Sequence, residues 1–342
     1  DRLQAEAKIG KLLPHVRHLH QLYQHMAEAR QRRGAIEFES GEVRFVLDNR
    51  GAVTQAGMLQ RNDAHKLIEE CMIAANVEAA RYLLDKRIPA PFRIHERPPE
   101  QKYADLQEFL KEFKLSMPPW TKVHPRDFTA LIHKVRERAD AALIESVLLR
   151  SQSLAVYSPS NVGHFGLALD SYAHFTSPIR RYADLIVHRA LVDSYRLEVP
   201  GKPKGLPERT GLGDADRKGL SRIGEAISAL ERRAMEAERE TIDRYVAAYL
   251  ATKVGEVVPA RITGVQPFGF FATVDGLGGD GLVPVSTLGS ERFFYDEAAR
   301  TLDSEHGRVS YSIGQRLELR LLEANPISGA LRSELAAAPD GA

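Results

Sequence analysis

Cysteine is almost absent from this chain. Cys71 is the only one in 342 residues, so no disulfide can form within it, and a zinc site with several thiolates is excluded. The twelve histidines offer no HxxxH pair in compensation. No apolar run approaches the length of a membrane span, and the N-terminal residues carry no signal-peptide pattern. With a lone thiol set among apolar helix residues, these absences lead us to expect a cytoplasmic protein, with no membrane and no disulfide-linked partner. An excess of one charge is missing as well. Forty-seven Lys and Arg stand against 46 Asp and Glu, for a net charge of +1. The balance is uneven along the chain, about −4 after residue 252 and about +5 before it. Any binding of phosphate must therefore come from local placement of cations rather than from a global field. Closely spaced aspartates are scarce too. Asp214-Ala215-Asp216 lies in a polar loop, and Asp48 stands alone at a turn.

What is present suffices for two or three domains: 43% hydrophobic and 27% charged residues over a length that can bury a substantial core. Leu12, Val16, Leu19, Tyr23 and Met26 recur at three- and four-residue spacing, predicting a long first helix that stops at Gly34. The histidines His15, His18, His20 and His25 on it read as a solvated face. Short strands follow at Ala35–Glu39, Val43–Asp48 and Val53–Met58, with Asn49-Arg50-Gly51 as a turn. Asn62 caps a helix to about Asp85, and a proline-rich connector, Pro89 to Pro99, precedes helical stretches at Glu100–Lys114, Arg126–Ala139 and Ala141–Leu154. A polar loop from Pro200 to Asp216 leads to a long helix over Ile223–Ala251. After Lys253 the pattern changes to short alternating strands with glycine turns, closing with a pair at Arg316–Leu322 and Ala330–Leu335, which suggests a small five-stranded barrel. The fold class is α+β, with units at 1–252 and 253–336 and a tail at 337–342.

The densest chemistry lies between His164 and Leu191. Thr176-Ser177-Pro178 reads as an N-cap followed by proline at the first helical position, which places Arg180 and Arg181 in the first helical turn. Backbone donors and the helix dipole there favour a phosphate or another anion. The same spacing equally lets Asp184 pair with either arginine. On the helix opened by Asn62, the residues Asn62, His65, Glu69 and Asn76 share one polar stripe, readable as a solvated face or as a binding face.

The wording SYAHFTSPIRRY, together with RNDAHKLIEECMIAAN, resembles the RNB exoribonucleases, in particular bacterial members, and nearly all of the chain takes part in the resemblance. It implies processive, magnesium-dependent 3′→5′ hydrolysis of single-stranded RNA to nucleoside 5′-monophosphates by a monomer. It also assigns roles. Arg180, the first arginine after SPI, contacts the scissile phosphate, and Arg181 holds a neighbouring one. Glu69 contacts the ribose near the 3′ end, while Glu70 is structural. Phe38, in GAIEFES, stacks on the terminal base. Tyr172, His174 and His188 shape the pocket rather than act as acids or bases. Glu238 and Arg239 match a helix that approaches the active site, and Asn62 and His65 are secondary candidates. The barrel resembles an S1-type OB-fold RNA-binding module, with Phe268 and Phe271 as its stacking aromatics. Both could instead be barrel core, and Phe38 an inward-facing strand residue. In GLVPVS, Pro284 stands where the module often has histidine. Glu291–Gly307, carrying Phe293, Phe294 and Tyr295, is an insert longer than a minimal barrel needs.

The aspartate cluster that binds the metal in this family should lie upstream of the first helix, where the sequence at hand begins at Asp1. The expectation is therefore a fragment that does not hydrolyse RNA alone. Two other readings stay open: a non-catalytic RNA-binding protein that works through its barrel, and a pseudoenzyme scaffold.

Overall fold

A computed structural model describes residues 10–38, 41–59, 61–198, 204–205, 209–297 and 299–336. Helix α1 (Leu13–Arg33) ends where expected. Gly34 takes φ 80°, and its N–H returns to the carbonyls of Arg30 and Gln31. A Cβ at Gly34 would also sit 2.7 Å from that of Arg126. The apolar stripe of α1 is not a core face, however. No residue of the helix is buried, and Leu12, Val16, Leu19 and Leu22 are all exposed. The four histidines are exposed too. Residues 35–38 form no strand, because Ile36 gives its N–H to the carbonyl of Gly166 in a loop contact, and Glu39 lies outside the described residues.

Strands β1 (Val43–Leu47) and β2 (Val53–Met58) pair antiparallel around the Asn49–Gly51 turn. Helix α2 (Asp63–Asp85) begins at the predicted cap. The Asn62 side chain accepts from the N–H groups of Ala64 and His65, and His65 completes a capping box. Cys71, on this helix, is half-buried. The proline-rich connector holds a strand that composition alone did not suggest, β3 (Phe92–Ile94), with Phe92 and Ile94 buried. Helices α3 (Glu100–Glu112), α4 (Pro125–Val135) and α5 (Ala141–Ser151) follow, the last two ending a few residues earlier than expected. Strand β4 (Val156–Ser158) pairs antiparallel with β3.

The main departure concerns the signature segment. Helix α6 runs over Tyr182–Tyr195, so it starts after both arginines. Ser177 to Arg180 is a turn in which the Ser177 carbonyl accepts the N–H groups of Arg180 and Arg181. The cap of α6 is thus Arg181 rather than the serine before Pro178, and the hydroxyl of Thr176 is buried with no hydrogen-bond partner among the described residues. Within the predicted polar loop a short helix, α7 (Asp214–Lys218), precedes α8 (Leu220–Leu250). Gly224 and Ser228 let α8 approach β4. A Cβ at Gly224 would come within 2.5 Å of the Tyr157 carbonyl, and the Ser228 hydroxyl accepts the Tyr157 N–H at 2.9 Å.

The C-terminal strands are β5 (Val257–Gln266), β6 (Gly269–Val274), β7 (Asp280–Pro284), β8 (Phe293–Asp296), β9 (Thr301–Ser304), β10 (Ser310–Ser312), β11 (Arg316–Ala324) and β12 (Leu331–Leu335). Five of them close a barrel in the order β5-β6-β7-β12-β11 and back to β5, with only β7 and β12 parallel. The insert contributes β8 and β9 to a second sheet, which β10, just beyond it, completes in the order β8-β9-β10. The barrel interior, including Ile262, Val265 and Phe270, belongs to one hydrophobic cluster with α3, α4 and α5, to which Tyr103, Phe128 and Ile144 contribute. On another side Val246, Ala247 and Leu250 of α8 pack against Val258, Val274 and Leu331. Among the described residues no helix is long and apolar enough to cross a membrane.

Candidate RNA-binding site

A groove of about 360 Å³ runs between α2 and the signature segment. His65, Glu69 and Asn76 line it from α2, and Tyr172 and Arg181 face them, with Met72 and Leu167 among its apolar walls. The polar stripe of α2 is thus a lining at this point rather than a solvated face. Glu69 is ion-paired with Arg61 and lies 3.8 Å from Arg30. Its neighbour Glu70 is buried and holds Arg30 at 2.7 Å, tying α1 to α2. Glu69 therefore lines the groove, while Glu70 joins two helices.

Two buried side chains shape the turn beside the groove. Asn76, 2% exposed, accepts the N–H groups of Phe175 (2.8 Å) and Thr176 (3.2 Å) and donates to the Tyr172 hydroxyl at 2.9 Å. Asp184, fully buried on the first turn of α6, accepts the Ser177 N–H at 2.7 Å and grips Arg181 through both oxygens at 2.7 and 2.9 Å. A buried carboxylate needs such partners, since leaving it unpaired costs several kcal/mol. The outcome for the arginines is asymmetric. Arg181 lines the groove with its guanidinium committed to Asp184, while Arg180 is exposed at the end of the turn. No hydrogen bond or ion pair engages the Arg180 side chain among the described residues. A guanidinium of this kind is free to take a phosphate oxygen pair in a forked geometry.

Behind the groove lies a ladder of rings. Tyr157 Oη is 2.8 Å from His174 Nδ1, and His174 meets Tyr172 edge-on at 5.6 Å. Tyr172 in turn meets His164 at 5.5 Å, and His164 meets His95 at 5.1 Å. Gly166 donates its N–H to His95 Nδ1, so His95 Nε2 carries the proton and donates to the Ser153 carbonyl. Burial, followed by the charges of Arg181 and Arg93, pushes His174 down to about 3. Burial, followed by the electrostatic repulsion that His95 and Arg93 would exert on a protonated ring, pushes His164 down to about 3. Burial pushes the Tyr157 phenol up to about 12 and the Tyr172 phenol up as well. At neutral pH these histidines are neutral and the phenols hold their protons, which suits a supporting wall and not acid–base chemistry. His188 likewise is spent locally, stacked on Phe175 at 4.4 Å and bonded to its carbonyl.

The remaining predicted residues are elsewhere. Phe38 is half-buried and packs against the core cluster. Asn62 is used as the cap of α2. Glu238 and Arg239 are exposed on the middle of α8. Phe268 and Phe271 sit on the barrel, Phe268 54% exposed and edge-on to Phe271 at 6.2 Å. Sequence reasoning placed Asn76 in the stripe without a role and saw Asp184 only as an arginine partner. An asparagine deep in an apolar helix stretch was the available signal, since it favours that position only when something bonds it. The pairing of Arg93 with Glu231 at 2.6 Å, which fixes β3 to α8, had no signal at all.

Comparison with known proteins follows this division. The RNB domain family matches residues 2–196, and the S1 RNA binding domain matches residues 252–326. Ribonuclease R of Escherichia coli (strain K12) is 41% identical over 314 residues, which is 92% of this chain and 38% of that protein. Among solved structures, the apo form of Mycoplasma genitalium RNase R superposes with a TM-score of 0.81 at 26% identity, over 95% of this chain and 50% of that one. The same enzyme in complex with ribose methylated single-stranded RNA gives 0.80 at 25% identity, with the same coverage. The chain therefore spans about 38% of the relative's length and about half of the solved chains.

Proposed function

The chain belongs to the RNB family and carries an S1 domain, and from that premise we propose that it is the phosphate-holding and RNA-guiding part of a ribonuclease R-type enzyme. That enzyme acts 3′→5′ and processively on single-stranded RNA, releases nucleoside 5′-monophosphates, and works as a cytoplasmic monomer. The unit boundary lies near residue 252, with a tail at 337–342. The observation that carries the reading is Arg180, an unpartnered guanidinium on a turn clamped by Asn76 and Asp184 beside a groove. As water attacks phosphorus and the bond to the 3′-oxygen of the preceding nucleotide breaks, negative charge grows on the non-bridging oxygens. Arg180 stabilises that charge, Arg181 holds the adjoining phosphate through the guanidinium nitrogen that Asp184 does not engage, and Glu69 accepts from the terminal ribose hydroxyls. Phe38 stacks on the terminal base, with Asn62, His65, Glu238 and Arg239 as secondary contacts, and Phe268 and Phe271 guide the incoming strand.

A divalent metal belongs to the chemistry of this family, and we take it to be magnesium. The residues described here do not fit one, since they contain no group of three or more His, Cys, Asp or Glu able to hold an ion. Asp216 is paired with Arg189 at 2.6 Å, and Asp48 accepts the N–H groups of Arg50 and Ala52. No step through the metal is therefore assigned to these side chains. The rival reading is RNA binding without hydrolysis, and one assay separates the two. With Mg²⁺ and a 5′-labelled single-stranded RNA bearing a 3′-hydroxyl, the whole gene product shortens the RNA stepwise to 5′-monophosphates, whereas this chain alone leaves it intact. Intact RNA in both reactions selects the binding protein.

A further inference from the structure

A second cleft, of about 410 Å³, opens where α5, the barrel and the inserted sheet meet. We propose that it binds one nucleotide of single-stranded RNA, with the phosphate on Arg150 and the base against Phe271, making α5 and the insert part of the RNA path. This rests on the reading of the barrel as an RNA guide and adds to it residues outside the barrel.

Three elements contribute to the cleft. Arg150 comes from the last turn of α5, Gln266 and Phe271 from the barrel, and Tyr295 and Arg300 from the insert. The volume lies within the range of small-ligand pockets, and two aromatic rings with two guanidiniums are the groups that recognise a base and its phosphate. Arg150 is exposed, and no ion pair or hydrogen bond engages its side chain among the described residues. Arg300 is fixed by its position 5.6 Å over the Phe109 ring, which anchors the insert on α3 and keeps the cleft in shape. Phe268 meets Phe271 edge-on and continues the aromatic surface out of the cleft. Asp280 and Glu297 also line it, and the Asp280 carboxylate accepts from the hydroxyls of Thr263 (3.1 Å) and Thr273. Two carboxylates beside two guanidiniums disfavour a run of phosphates, so the cleft admits a single nucleotide while the strand continues over Phe268.

The test is fluorescence anisotropy of a labelled twelve-nucleotide oligoadenylate with this chain in EDTA, over a range of salt. Arg150→Gln should weaken binding about three- to tenfold and make the salt slope shallower by about 0.7, as loss of one phosphate contact requires. Phe268→Ala should weaken binding without changing that slope. Adenosine monophosphate at millimolar concentration should fail to displace the oligonucleotide; displacement would make the cleft a free-nucleotide site and overturn the proposal. Unchanged binding by Arg150→Gln with weakened binding by Phe268→Ala would also overturn it, leaving the barrel reading intact. If neither variant changes binding, the barrel reading fails and the cleft proposal with it.

Discussion

The groove beside α2 and the outer face of the barrel both present groups suited to RNA, but they hold them differently. In the groove every supporting polar group is spent: Asn76 on two N–H groups and a phenol, Asp184 on an N–H and a guanidinium, His174 on Tyr157. Arg180, on the turn beside the groove, has no side-chain partner among the described residues. On the barrel the proposed RNA contact, Phe268, stands in solvent with one ring for company. A buried polar framework fixes one geometry, as chemistry on a single phosphate requires, while an exposed ring tolerates any base and any approach. The first region is built to position and the second to accommodate.

The sharpest way to break this comparison is to remove the clamp. Asp184→Ala leaves Arg181 and the Ser177 N–H without a partner in a buried site, and should cost about 3–5 kcal/mol in urea denaturation. A loss below about 1 kcal/mol would mean that the framework is not rigid. Next comes pH. His164 and His174 are held near 3 by burial, whereas the unfolded chain protonates them near 6.5, so unfolding takes up protons. Their contribution is complete above about pH 7.5 and falls as pH drops from about 6.5 toward 3, by roughly 2 kcal/mol each between pH 7 and pH 5. Stability measured across that window should decline less steeply in His164→Gln and His174→Gln; identical slopes would place both rings in contact with water. The smallest effect on stability belongs to the barrel. Phe268→Ala should change it by less than about 0.5 kcal/mol yet weaken RNA binding by about 1–3 kcal/mol, measured by anisotropy. A large stability loss there would make Phe268 a core residue and erase the contrast.

Much of this was readable from the residues, for reasons that differ between the regions. The barrel announced itself because strand alternation and glycine turns are local signals; Phe268 falls in the turn between β5 and β6, and Phe271 on β6. Asn62 and Gly34 marked their helix ends because a cap is also decided locally. The start of α6 was misjudged although Thr176-Ser177-Pro178 carries every cap signal. The Ser177 N–H is taken by Asp184, and the Ser177 carbonyl closes a turn, so the helix begins four residues beyond Pro178. Asn76 bonds residues about a hundred positions away, and no local pattern contains that distance. The apolar stripe of α1 was read correctly as a stripe, but periodicity cannot say whether anything covers it. Among the described residues none of it is fully buried, and only Tyr23 and Met26 are partly covered.

The central claim is that Arg180 acts on the reacting phosphate from a turn held by other residues. It is tested most directly by the single-turnover rate of Arg180→Ala in the whole gene product, with RNA affinity measured on the same preparation. The account predicts a rate lower by about 10²–10³ with affinity changed by less than about threefold. A rate that survives, or a loss of rate matched by an equal loss of affinity, would contradict it.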